Sequence, residues 1–229
     1  MLAIKSSIGV LGGTFDPIHF AHLRLAEEVA EAFMLNTVRL IPSANPPHRI
    51  TPSAPAEDRL KMVELALDRA NKKLVPDGRE LNRVGKSYMV DTLKQLRTEH
   101  PNASISLILG TDAFIELMTW HEWQQLFSLA HIIVASRPNL PLSELETNLE
   151  KKLASEYGAR KRHDRDLLHS SKNGLIFTYE FTSLEVSGTS LRRRIQHKQS
   201  LKYLLPDNVI NYIQNHNLYK EKTSESKPK

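Results

Sequence analysis

The chain has 229 residues, a formal net charge of +5 and no cysteine, which excludes disulfides, cysteine nucleophiles and cysteine-ligated zinc. No apolar stretch approaches the roughly 20 residues that a membrane span needs, and the N-terminus lacks the apolar region of a signal peptide. We therefore predict a cytoplasmic protein without a membrane partner, whose basic charge favours an anionic ligand.

Short apolar strands alternate with helical patterns along the chain. Strands are predicted at residues 8–11, 37–41, 73–75, 104–109, 131–136 and 175–181. Helices are predicted at residues 17–33, 56–71, 88–99, 112–118, 120–126 and 143–157, with two more after SGTS (187–190) and after Pro206. Ser87 is expected to cap the helix that follows it. The polar stretch 159–174 is predicted to be a loop or insertion.

This alternation predicts an α/β fold, a Rossmann-like doubly wound parallel sheet with helices on both faces. We expect a single domain over residues 1–219, in which residues 186–219 form a small C-terminal helical part. Residues 220–229 are polar and are predicted to be a disordered tail.

The ligand site of such a sheet lies outside the carboxyl ends of its strands. Residues 12–19, residues 42–49, residues 110–112 and Arg137 each follow a predicted strand. We therefore expect these four places to converge on one crevice.

Residues 12–23, GGTFDPIHFAHL, form the first of these strand-to-helix turns. Its two glycines lack a Cβ, so a ligand can approach the backbone closely. Asp16 before a proline is typical of a helix N-cap and first helical position, and a helix N-terminus favours phosphate. His19 and His22 are three residues apart, so both project from one face and can donate to phosphate oxygens. The P-loop and dinucleotide patterns are absent, and a zinc site lacks a third ligand.

The same turn resembles the signature of the nucleotidyltransferase α/β superfamily, with Ala21 where a glycine usually precedes the second histidine. A second stretch, VSGTSLRRR at 186–194, resembles the superfamily pattern ISSTxIR and has Gly188 in place of the middle serine. Thr189 is expected to cap the helix that begins there. The resemblance implies that His19, His22 and Arg192 are catalytic. It implies an ATP site made of Gly12, Gly13, Thr14, Phe15, His19, His22, Ser187, Thr189 and Arg192.

Further stretches resemble the bacterial nicotinate-nucleotide adenylyltransferases and cover nearly the whole chain. They are IPSANPPHR (41–49), AEDRLKMVELAL (56–67), KSYMVDTLKQL (86–96), LILGTDAFIELMTWHEW (107–123), ASRP (135–138) and LKYLLPDNVINYIQNHNLY (201–219). The resemblance implies transfer of the adenylyl group of ATP to nicotinate mononucleotide, giving deamido-NAD and pyrophosphate, with Mg²⁺ bridging phosphate oxygens. It implies a mononucleotide site made of Asp16, Asn45, His48, Arg49, Tyr88, Met89, Asp112, Trp120, His121 and Arg137.

Within that site, Trp120 resembles the family's stacking residue. Backbone N–H groups near Met89 and His121 are expected to bind the pyridine carboxylate. The family has a threonine at the position of Met89, so the selectivity for acid over amide is left open.

Several alternatives stand beside this hypothesis. Nicotinamide-mononucleotide and phosphopantetheine adenylyltransferases share the fold, although the latter are shorter and lack the PPH loop. A class I aminoacyl-tRNA synthetase relative is disfavoured because no KMSKS-like stretch is present. The alternative from a different class is a basic nucleic-acid-binding protein that uses residues 151–172 and the basic tail, but charge alone supports it weakly. Nucleic acid is therefore not expected as a partner, no protein-held metal is predicted, and a homo-oligomer is left open.

Overall fold

We describe a computed structural model of the chain that covers residues 6–47, 51–68, 70–136 and 141–220. The strands are β1 (Ser7–Gly13), β2 (Thr37–Pro42), β3 (Leu74–Pro76), β4 (Ser104–Gly110), β5 (His131–Ala135) and β6 (Ile176–Tyr179). The α-helices are α1 (Phe20–Ala32), α2 (Ala56–Leu67), α3 (Met89–Glu99), α4 (Thr111–Ile115), α5 (Leu126–Leu129), α6 (Lys151–Arg160), α7 (Gly188–Gln196) and α8 (Asp207–Asn215).

All the strands run parallel in one sheet, in the order β3-β2-β1-β4-β5-β6. The order runs outward from β1 in one direction and from β4 in the other, so the switch point lies between these two strands. Parallel strands are covered on both faces, which is why β4, with the sequence SISLILG, is buried along its whole length. The predicted fold class is confirmed.

The two faces of the sheet carry separate hydrophobic cores. Alternate residues of β1 divide between them, with Val10 in one core and Leu11 in the other. The core on the Leu11 side takes its buried side chains from α1, α2, α7 and α8. The core on the Val10 side takes them from α3, α4, α5 and α6. The C-terminal helices therefore pack against the same core as the opening helix.

Several predicted bounds shift in the structure. The opening helix begins at Phe20, three residues later than predicted, and the second helix ends at Leu67. Parts of the predicted helices near 120 and 143 are 3₁₀ turns, at Trp123–Gln125 and Leu142–Glu144. The polar stretch 159–174 contains a 3₁₀ turn at Arg165–His169.

Among the residues that the structure describes, none of the helices has the length and apolarity that a bilayer crossing needs. Residues 221–229, most of the predicted tail, lie outside the described residues.

Candidate active site

The crevice forms where β1, β2 and β4 end. β1 ends at Gly13, β2 at Pro42 and β4 at Gly110, and all three ends lie at the carboxyl edge of the sheet around the switch point. The N–H of Ser43 donates to the carbonyl of Gly13 at 2.8 Å, which holds the loops after β1 and β2 together. The predicted convergence of these turns on one edge is what a doubly wound sheet provides.

The backbone of Gly12 lies under the side chain of Met89. A Cβ at position 12 would lie 2.5 Å from the terminal methyl of Met89, so that flexible side chain would have to shift. The Met89 side chain at the start of α3 therefore lies directly over the bare backbone of β1. This contact brings a residue of the predicted mononucleotide site against a residue of the predicted ATP site.

The two histidines of the opening turn lie together, as their spacing predicts. The rings of His19 and His22 stack with centroids 3.7 Å apart and an interplanar angle of 26°. Phe15 meets the His22 ring edge-on at 5.0 Å. Phe15 is buried and has a positive φ of 48°, a left-handed conformation that is unusual for a bulky residue and that clusters at functional sites. Thr14 precedes it in the same turn and is half-buried.

The prediction that Asp16 caps the opening helix is wrong. The N-cap position belongs to His19, whose side chain makes no capping hydrogen bond, and the peptide bond between Asp16 and Pro17 is cis. The Asp16 carboxylate instead accepts the N–H groups of Ser53 at 2.7 Å and Ala54 at 3.1 Å. Two N–H donors from a distant segment satisfy this carboxylate, so it serves to hold that segment against the turn.

The two superfamily-like stretches meet at Arg192. Its Nη1 donates to the carbonyl of Asp16 at 2.6 Å, and its Nη2 donates to the hydroxyl of Thr189 at 3.2 Å. Ser187, rather than Thr189, caps α7, because its side chain accepts the N–H of Ser190 in a capping box. The expected cap at Thr189 is therefore wrong, and its hydroxyl orients Arg192 instead.

Glycine at position 188 leaves space for the contact between Arg192 and Asp16. A Cβ at Gly188 would lie 2.9 Å from the main-chain oxygen of Asp16 and 3.1 Å from Nη1 of Arg192. The serine of the superfamily pattern would meet a backbone atom here. With glycine at position 188, the start of α7 can lie close to the main chain of Asp16 in the opening turn.

Several residues of the predicted mononucleotide site lie near the start of α3. The rings of Tyr88 and His121 lie 4.3 Å apart with an interplanar angle of 31°. Ser87 does not cap α3, because its hydroxyl accepts the N–H of Asn45 at 3.0 Å while its own N–H donates to the Asn45 carbonyl at 2.9 Å. These two hydrogen bonds join the loop after β2 to the segment that leads into α3.

The remaining predicted residues are placed less centrally. Trp120 is half-buried and packs against the core on the Val10 side, and Asp112 is exposed in the first turn of α4. His48, Arg49 and Arg137 lie outside the described residues, so their assigned roles stay predictions.

Two residues of this site had no role in the sequence-based prediction. Arg59 is 1% exposed and donates to main-chain carbonyls of the site loops, and Tyr219 is buried near Asp16. Burial and the neighbouring Asp16 carboxylate both raise the pKa of the Tyr219 hydroxyl, which therefore stays protonated. The available signal for Arg59 was a charged residue within the apolar stripe of its helix.

The described residues do not fit a protein-held metal ion. Across the described ranges, no three His, Cys, Asp or Glu side chains lie close enough together to hold one. The Asp16 carboxylate, the nearest candidate beside the histidines, already accepts two N–H groups.

These features define the class of protein. A doubly wound sheet with paired histidines after β1 and an arginine from a capped C-terminal helix is typical of an α/β nucleotidyltransferase. Residues 10–194 match the family model described as cytidylyltransferase-like.

Relatives narrow the class to one family. A protein of Dechloromonas aromatica named "Probable nicotinate-nucleotide adenylyltransferase" is 44% identical over 95% of this chain and 99% of its own. Its namesake from Pseudomonas syringae pv. tomato is 42% identical over 100% of both chains. The chain belongs to the nicotinate-nucleotide adenylyltransferase family.

The fold is also found among solved structures. A Plasmodium falciparum nicotinic acid mononucleotide adenylyltransferase complexed with NaAD matches with a TM-score of 0.69 and 18% sequence identity, over 93% of this chain and 97% of that chain. At this identity the likeness concerns the fold alone.

Proposed function

We propose that the chain transfers the adenylyl group of ATP to nicotinate mononucleotide, forming nicotinate adenine dinucleotide and pyrophosphate in NAD biosynthesis. The observation that carries the proposal is the convergence of the stacked His19–His22 pair and Arg192 on the opening turn. The contact of Met89 with Gly12 links that turn to the start of α3, where Tyr88 stacks near His121. Phosphate-binding groups and a stacking surface for a pyridine ring thus lie at one edge of the sheet.

The reaction needs no nucleophile from the protein. An oxygen of the mononucleotide phosphate attacks the α-phosphorus of ATP, and the bond from that phosphorus to the oxygen bridging the β-phosphate breaks as pyrophosphate leaves. Catalysis is then mostly alignment and stabilisation of developing negative charge. Mg²⁺ enters as part of the substrate, bound to the phosphates of ATP.

The chain's own groups supply the rest of the charge stabilisation. His19 and His22 donate hydrogen bonds to phosphate oxygens, and their stacking limits each ring to few orientations. A guanidinium has five N–H donors. In Arg192, Nη1 donates to the Asp16 carbonyl and lies 3.6 Å from the Asp16 carboxylate, and Nη2 donates to Thr189. The other donors of Arg192 are available to the leaving pyrophosphate.

On the acceptor side, the pyridine ring stacks near Tyr88, His121 and Trp120. The first N–H groups of α3, which begins at Met89, have no partner within their own helix and suit the nicotinate carboxylate. An amide in the same place would offer N–H donors where an acceptor is needed. This arrangement favours nicotinate mononucleotide over nicotinamide mononucleotide, although Met89 lacks the hydroxyl of the family's threonine.

The test is pyrophosphate release with ATP, Mg²⁺ and one acceptor at a time: nicotinate mononucleotide, nicotinamide mononucleotide or phosphopantetheine. We expect a strong preference for nicotinate mononucleotide. Equal or faster turnover of nicotinamide mononucleotide would keep the chemistry and overturn the acceptor. Turnover of phosphopantetheine alone would move the chain to another adenylyltransferase activity. No release with any acceptor would overturn the proposal.

The basic segment does not favour nucleic-acid binding. Several of its cations lie over aromatic rings of the chain itself, including Arg160 over Phe127 at 4.7 Å and Arg165 over Tyr179 at 5.0 Å. Their planar faces are engaged in packing the segment onto the fold. These contacts give the basic residues a role in packing the fold that does not depend on a nucleic acid.

A further inference from the structure

Arg59 is a charged side chain in a place that normally excludes charge. It lies in α2 and is 1% exposed. Burial lowers its pKa from the usual range, and the neighbouring Asp16 carboxylate partly offsets that effect. A buried charge is costly unless hydrogen bonds compensate for the lost water. Its contacts therefore explain why the fold keeps it.

The hydrogen bonds of Arg59 join the two loops of the crevice. Nη1 donates to the carbonyl of Thr14 and to that of Ser43, both at 2.7 Å. Nη2 donates to the carbonyl of Ala44 at 3.3 Å, and Nε donates to that of Ala54 at 3.1 Å. One rigid, planar group thus fixes the turn after β1, the loop after β2 and the entry to α2 relative to one another.

We infer that Arg59 is a positioning residue for adenylyl transfer. This inference rests on the proposed function, because Thr14 belongs to the turn that holds ATP and Ser43–Ala44 leads to Asn45 on the acceptor side. In-line attack requires the acceptor phosphate and the α-phosphorus to be aligned, and a misplacement of about 1 Å costs about 100-fold in rate. Arg59 sets that alignment through main-chain carbonyls without touching a substrate.

Asp16 supports the same arrangement from the other side. Its carboxylate accepts the N–H groups of Ser53 and Ala54, while Arg59 donates to the carbonyl of Ala54. The segment before α2 is therefore held by two groups. Its N–H groups donate to the Asp16 carboxylate, and its Ala54 carbonyl accepts from the Arg59 guanidinium. The loop between β2 and α2 therefore has fixed ends on both sides of the crevice.

The chain offers a matched control at the opposite edge of the sheet. Arg97 donates from Nη1 to the carbonyl of Ala103 at 2.7 Å, and from Nη2 to those of Leu129 at 2.8 Å and Lys172 at 2.9 Å. Burial lowers its pKa as well. Ala103 precedes the first residue of β4, so this guanidinium joins loops at the amino edge, away from the crevice.

The experiment compares full-length Arg59→Lys and Arg97→Lys. Lysine keeps the charge and loses the planar fork, so both variants are expected to unfold at a lower temperature than the unmodified protein. Only Arg59→Lys is expected to lose kcat, by about 10-fold to 100-fold, with each KM within about threefold. Both are assayed well below their unfolding temperatures, with circular dichroism to verify the folded fraction. Equal kcat values for the two variants would overturn the inference.

A measurement on the unmodified protein covers the case in which Arg59→Lys does not fold. Amide hydrogen exchange is followed around Thr14–Asp16 and Ser43–Ala44. If Arg59 bridges these loops, both are expected to become exchangeable in one opening event, with equal opening free energies. Independent opening of the two loops would contradict the inference. Failure of the proposed function can be distinguished from failure of this inference, because in the former case the unmodified protein itself would release no pyrophosphate.

Discussion

At the residue scale, the opening turn restricts its histidines before any ligand binds. His19 is 3% exposed, and its ring covers one face of the His22 ring while Phe15 meets that ring edge-on. Phe15 has a left-handed conformation, and its buried side chain contacts His22 rather than solvent. A donor that is already oriented loses little entropy when it binds a phosphate, which is the condition for effective charge stabilisation.

Replacing His22 with alanine tests this role directly. We expect His22→Ala to lower kcat by about 10²-fold to 10³-fold, the usual loss for one oriented donor, while the fold is retained because His22 is half-buried. Steady-state pyrophosphate release measures the loss. His163→Ala, at an exposed position in the polar stretch, is the control and should turn over normally. Near-normal turnover of His22→Ala would contradict the assignment.

We expect Met89 to affect how strongly nicotinate mononucleotide is preferred over nicotinamide mononucleotide. Its terminal methyl lies over Gly12, and its side chain has no hydroxyl to offer a carboxylate. We expect Met89→Thr to raise the ratio of kcat/KM for nicotinate over nicotinamide mononucleotide by about 10-fold, since a hydrogen bond to a charged group contributes about 1.5–3 kcal/mol. Met89→Leu keeps the apolar volume and should leave the ratio unchanged. A similar ratio in the two variants would show that the hydroxyl has no part in selectivity.

At the element scale, the approach of α7 to the opening turn decides how the two motifs cooperate. Arg192 reaches the carbonyl of Asp16 because Gly188, the first residue of α7, leaves no side chain between them. The capping box of Ser187 and Ser190 fixes the start of the helix. The position of the guanidinium therefore depends on where the helix begins as well as on its own rotamer.

Restoring the superfamily serine in α7 should be harmful in this chain. Gly188→Ser places a Cβ 2.9 Å from the Asp16 oxygen, so backbone must move, and we expect a loss of about 1–3 kcal/mol in unfolding free energy and a lower kcat. Gly158→Ser in α6 is the control, because its Cβ would meet nothing within 4 Å. Thermal denaturation and turnover measure both variants. A Gly188→Ser protein as stable and active as Gly158→Ser would contradict the close approach.

The sequence predicted the features that depend on neighbours in the chain. The apolar run of β4 and the three-residue spacing of His19 and His22 are local, and both appear in the structure. Asp16 was misassigned because its partners lie at Ser53 and Ala54, and no local pattern indicates them. The role of Arg59 was missed for the same reason, since its hydrogen bonds reach main-chain carbonyls of loops that converge only when the sheet forms.

At the scale of the whole molecule, the candidate active site and the polar contacts of Arg97 and His131 lie at opposite edges of the sheet. The crevice lies at the carboxyl edge, whereas the half-buried Arg97 and the buried His131 hold the amino edge together. The His131 ring accepts the N–H of Leu175 at Nδ1, 3.1 Å away, so Nε2 carries the proton and donates to the carbonyl of Ser171 at 3.0 Å. A neutral imidazole thus joins β5 to the segment that leads into β6.

His131 should make the stability of the molecule depend on pH. Burial, with a further effect from Arg97, lowers the pKa of His131 from 6.5 to about 4. Between those values the unfolded chain binds a proton that the folded chain does not. The stability is therefore fully present above pH 6.5 and is lost as the pH falls toward 4. For this one group, the expected loss between pH 7 and pH 5 is about 2 kcal/mol.

Urea unfolding at pH 7 and pH 5 measures this effect. His131→Gln keeps one donor and one acceptor without titrating, so its unfolding free energy should fall by about 2 kcal/mol less than that of the unmodified protein over this range. His163→Gln removes an exposed histidine and should keep the original pH dependence. If His131→Gln showed the same pH dependence as the unmodified protein, protonation of this ring would not be what loosens the amino edge in acid.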